Sequence, residues 1–118
     1  MFELINRKTY RYFLLLAILG TLVLTFSMTS GVVVVELIND KVAHGSIFFV
    51  LSFLSFHSLG RQYGLLTLVA LACFGLLIEV IQYFLPWRSF SWMDWVADIS
   101  GILAYELIHR LKRAFYLR

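Results

Sequence analysis

Between Gly64 and Leu85 the chain carries a single charged residue, Glu79, and comparable runs occupy Tyr12 to Thr29 and Val42 to Leu59. A helix rises 1.5 Å per residue, so about 20 such residues match the roughly 30 Å hydrocarbon thickness of a bilayer. Inside lipid the backbone must satisfy its own polar groups, which leaves helices as the structures these runs can form. A fourth run, Trp92 to Leu111, is less apolar. With 61% hydrophobic and only 14% charged residues, the chain lies outside the balance of soluble globular domains. The expected fold is all-α: one domain over residues 1–118, with transmembrane helices at about 12–29, 42–59, 64–85 and 92–111 in an antiparallel bundle. The expected location is the cytoplasmic membrane, crossed several times.

Local signals mark the boundaries. Phe2 to Arg11 mixes apolar residues with Arg7, Lys8 and Arg11, as in an interfacial lead-in held by snorkelling cations. Gly31 to Leu37 is a valine-rich piece that either continues the first helix or lies extended at the interface. Asn39 and Asp40 offer a helix start, Gly60 ends the second run, Pro86 stops the third, and Ser91 with Asp94 resembles a capping box. The single cysteine, Cys73, sits in an apolar run and reads as a packing or lipid-facing thiol.

The net charge of +3 raises nucleic acid as a partner, but the basic residues cluster at the ends of apolar runs, so that partner is rejected. Arg7, Lys8, Arg11, Arg61, Arg110, Lys112, Arg113 and Arg118 share one side of the expected topology; Lys41 and Arg88 fall on the other. The excess of positive charge places both termini in the cytoplasm and the loops around Asn39 and Arg88 outside.

In that topology the polar residues converge on the outer half. Asp40, Lys41 and His44 open the second helix, Glu79 lies about 10 Å below Pro86 with Gln82 a turn above it, and Asp94 and Asp98 stack four apart on the fourth helix. An ionisable group within a span is expensive, so its default reading is functional. Blander readings stand beside it: Asp40 and Asp94 as helix-end caps, Lys41 as an interfacial anchor, Glu79 as an interhelical bridge. Glu106 with Arg110, His57 and His109 read as structural, and Trp87, Trp92 and Trp95 as an outer aromatic belt.

The segments DKVAH (Asp40 to His44), EVIQ (Glu79 to Gln82), FLPWRSFSWMD (Phe84 to Asp94) and DISG (Asp98 to Gly101) resemble the VanZ-like family, named for a protein acting in resistance to the glycopeptide teicoplanin. The resemblance covers the last three helices. It departs at Asp98, where the family usually has asparagine, and at Gly45, where it usually has phenylalanine.

The expected function is binding of an anionic envelope lipid or lipid-linked cell-wall precursor, with its modification left open, contributing to glycopeptide resistance; membrane lipids, such a precursor or the glycopeptide itself are the expected partners. His44, Glu79 and Asp98 are the candidate catalytic residues, with His44 and Glu79 as general base and orienting partner. Asp40, Lys41, Gln82, Arg88, Ser89 and Asp94 are the candidate substrate-binding residues, and the planar guanidinium of Arg88 suits a phosphate. His44, Glu79, Asp94 and Asp98 are also types that ligate a cation, although no motif specifies a metal or other cofactor. Two alternatives remain open: a small dimeric multidrug or proton-coupled exporter, and a non-catalytic structural accessory of the envelope. The uncharged first span, where such exporters carry a glutamate, counts against the exporter.

Overall fold

Asn6 starts the first helix. Its Oδ1 accepts hydrogen bonds from the Thr9 amide (3.0 Å) and hydroxyl (3.2 Å), so it caps α1, Arg7–Phe26. The computed structural model describes residues 6–26, 40–86 and 92–116, and among these there are four helices and no strand. The others are α2 (Asp40–Leu59), α3 (Gly64–Phe84) and α4 (Trp92–Tyr116), with a 3₁₀ turn, Arg61–Tyr63, between α2 and α3.

The helix ends follow local chemistry. Gly60 has φ of 94° and donates its amide to the Phe56 carbonyl at 3.0 Å, a left-handed cap that closes α2. Leu85 is extended ahead of Pro86, as the proline ring requires, and α3 stops there. Two expected boundaries need correction. The lead-in up to Arg11 is helical from Arg7, because Asn6 supplies the cap; α4 continues to Tyr116 rather than Leu111, because Lys112 to Tyr116 contains no breaker and its cations favour a helix C-terminus. The valine-rich 31–37 piece and Ser91 lie outside the described residues.

α2 is the central helix and packs on the other three. Tyr10 stacks near His57 (4.8 Å between centroids) and the Arg7 guanidinium lies against Gly60, so α1 runs antiparallel to α2. Gly64 faces the Phe56 ring and Gly75 the Phe48 ring, so α3 is antiparallel to α2 as well. Gly45 meets Gly101 and Phe49 meets Tyr105, so α4 runs parallel to α2. The result is an up-down-up-down bundle with a core of Phe48, Leu51, Leu71, Ile78 and Ile102.

Two helices, Lys41–Leu59 and Gly64–Phe84, are long and apolar enough to cross a membrane. Only 33% and 28% of these spans is buried within the bundle. The core helix of a soluble protein would be mostly enclosed, whereas these turn leucine and valine outward, among them Leu65, Leu66 and Val69.

Candidate functional site

The site is built where α2 and α4 cross. A Cβ added to Gly101 would lie 2.1 Å from the Gly45 carbonyl oxygen, so the two backbones touch there and only glycine at 101 permits it. His44 precedes one member of this contact and Asp98 lies one turn before the other. Because α2 and α4 are parallel, residues a turn apart on each stack as rungs. Lys41 Nζ pairs with Asp94 Oδ1 on the first rung, and His44 Nδ1 with Asp98 Oδ1, at 2.8 Å, on the second. His44 Nε2 faces Asp94 Oδ2 at 3.7 Å, so the imidazole stands between the two aspartates.

α3 closes the third side. Glu79 and Asp98 are both fully buried, and donor atoms of His44, Glu79 and Asp98 all lie within 4.8 Å of one another. Among the described residues, these three could hold a metal ion. Gly75, one turn before Glu79, leaves the space into which Asp98 projects: a Cβ there would stand 2.9 Å from Asp98 Oδ2 and 3.3 Å from the Phe48 ring. Gln82 is buried one turn beyond Glu79. The Trp95 indole N–H donates to the Ala72 carbonyl at 3.0 Å and ties α4 to α3.

Of the residues expected from sequence, Lys41, His44, Glu79, Asp94 and Asp98 come together in this cluster, and Gln82 is buried nearby on α3. Asp40 is the first residue of α2, and its side chain is outside the description; Arg88 and Ser89, like Trp87 of the expected belt, lie outside the described residues. Asp98 joins His44 through the 2.8 Å hydrogen bond, favoured by the Gly45–Gly101 contact between α2 and α4, and Glu79, the expected orienting partner, stands in the same cluster. Trp95 is likewise half-buried and hydrogen-bonded inward rather than simply part of a belt. Gly75 escaped the sequence reading, although its place one turn before Glu79 is a usable signal. Distant from the cluster, His57 Nδ1–H donates to the Phe53 carbonyl at 2.9 Å and His109 stacks on Tyr105.

The arrangement is suited to moving protons. A carboxylate that accepts from one imidazole nitrogen fixes the ring and its tautomer, and leaves the second nitrogen facing the Lys41–Asp94 rung. Lys41 remains half exposed, so the same rung presents a cation at the surface. No family model, curated protein or solved structure matches the chain.

Proposed function

We propose that the chain is a VanZ-like protein that crosses the cytoplasmic membrane four times with both termini inside. Its polar cluster opens at the extracytoplasmic mouth and binds an anionic envelope lipid or lipid-linked wall precursor. Lys41 and Arg88 hold the head-group phosphate. His44, oriented by Asp98, accepts a proton from the bound group, and Glu79 balances the charge that develops on the imidazole. Holding these precursors at the outer mouth then lowers glycopeptide susceptibility.

The single observation that carries this reading is the hydrogen bond between half-buried His44 and fully buried Asp98, next to the Lys41–Asp94 pair whose lysine is half exposed. Burying two carboxylates and an imidazole in a span costs several kilocalories per mole, which a purely mechanical role would not require. Four crossings are supported by outward apolar stripes on the remaining helices, Leu15, Leu16 and Leu19 on α1 and Leu103, Leu107 and Leu111 on α4. The VanZ-like assignment rests on the spaced segments described above.

The test compares variants at matched membrane levels for drug susceptibility and for binding of envelope lipids to purified protein. Arg88→Ala is expected to abolish lipid binding and return drug susceptibility to that of cells without the protein, and Arg88→Lys to fail largely, because an ammonium lacks the planar fork. Glu79→Gln keeps size and reach but not charge, and is expected to bind lipid without conferring function. Parent-like behaviour of Arg88→Ala and Glu79→Gln in both assays would leave the structural-accessory reading in its place.

A further inference from the structure

We infer that the opposite end of the bundle holds a second lipid site, a groove between α2 and α4 that seats an anionic phospholipid of the leaflet next to the termini. The inference rests on the membrane reading above but not on the polar cluster, which lies at the other end of α2. The groove encloses 530 Å³. Its floor is aromatic: Tyr105 is buried, with its ring 5.6 Å from Phe49 and 6.0 Å from Phe53, both edge to face. Ile108, half exposed, forms the open flank through which an acyl chain enters from the side.

The mouth has the opposite character. Lys112 and Arg113 stand there, and no carboxylate is found among the described residues that line the groove. Glu106, the only acidic residue of α4 beyond Asp98, is taken by Arg110 at 2.7 Å. Lys112 and Arg113 have no carboxylate within ion-pair distance among the described residues. Arg7 lies against Gly60 at the same end, with Lys8 and Arg11 exposed nearby on α1, so the surroundings add positive charge.

An apolar aromatic trench that ends in a cluster of cations is complementary to one chemical class, an amphiphile with an anionic head. A soluble phosphate would use the mouth and leave the trench empty. A zwitterionic lipid would fill the trench but gain nothing from two cations without counter-charges. The aromatic walls are braced against one another and the head-group cations sit on the last turns of one helix, so both halves of the site are held in register by α4.

Full-length protein purified in mild detergent is exchanged into mixtures of phosphatidylglycerol and phosphatidylcholine with identical chains, and retained lipid is counted by native mass spectrometry. Parent protein is expected to retain phosphatidylglycerol at least about tenfold over phosphatidylcholine. The Lys112→Gln, Arg113→Gln double variant should bring that ratio to within about twofold, and millimolar glycerol phosphate should fail to displace the lipid. Ile108→Trp, which obstructs the flank without altering charge, should also lose the retained lipid, and it decides the matter if circular dichroism shows the double variant misfolded. Equal retention of the two lipids, a preference that survives the variants, or displacement by glycerol phosphate would overturn the inference. The series is run in an Arg88→Ala background, which removes head-group binding at the outer mouth; there the preference should remain and should still be lost in the double variant. Extraction of the chain from membranes by carbonate would remove the membrane reading and this site together.

Discussion

Gly45 and Gly101 meet backbone to backbone, with no room for a single methyl group at position 101. In lipid, where apolar burial no longer drives helices together, such contact lets dispersion and interhelical hydrogen bonds hold a bundle. Gly101→Ala is therefore expected to push α2 from α4, at a cost of roughly 1–3 kcal/mol, and to break the His44–Asp98 hydrogen bond. Thermal unfolding in detergent reads the first effect. Gly45→Ala serves as the contrast: its Cβ would meet only the Ala97 carbonyl oxygen, at an ordinary 3.5 Å, so near-parent stability is expected.

Gly75→Ala separates geometry from stability at the same centre. The added methyl would crowd Asp98 Oδ2 at 2.9 Å, and a carboxylate can rotate where a backbone cannot. Drug susceptibility should rise toward that of an inactive variant while the unfolding midpoint changes less than in Gly101→Ala. A larger midpoint loss than Gly101→Ala would contradict the proposed packing.

His44 and Asp98 should behave as one unit. Asp98→Ala and His44→Gln are each expected to abolish function, and the double variant to be no worse than either, since the second change removes nothing the first left working. Additive losses on a susceptibility scale would show that the two act separately.

The Lys41–Asp94 pair should matter for binding more than for folding. The Lys41 side chain is 44% exposed, so a double-mutant cycle with Lys41→Met and Asp94→Asn is expected to give a stability coupling below about 1 kcal/mol. Envelope-lipid binding by Lys41→Met should nonetheless drop clearly, because a head-group cation has been removed.

Topology is checked with single cysteines at positions 6, 89 and 117 in a Cys73→Ser background. An impermeant reagent added outside is expected to reach only Ser89→Cys. Labelling of Leu117→Cys from outside would reverse the orientation and move the polar cluster to the cytoplasmic face.

The four helices of the described residues, their approximate positions and the face of α4 that carries Asp94, Asp98, Gly101 and Tyr105 were legible in the sequence alone. They depend on local quantities: apolar run length, the 3.6-residue period, Gly60 and Pro86 as stops. All four residues of that face are buried in the bundle. The cost of placing charge in an apolar run likewise singled out Glu79 and Asp98 before any contact was known.

Which polar groups touch was a different matter. Nothing in the chain's linear order pairs Lys41 with Asp94 or His44 with Asp98, because those contacts depend on two parallel helices being in register. The register is fixed by a contact between two residues without side chains, Gly45 and Gly101, and by the space at Gly75. Glycine leaves no periodic or hydropathic mark that names its neighbour. The distance between two backbones emerges only when helices far apart in sequence are packed, so the His44–Asp98 contact belonged to the tertiary structure.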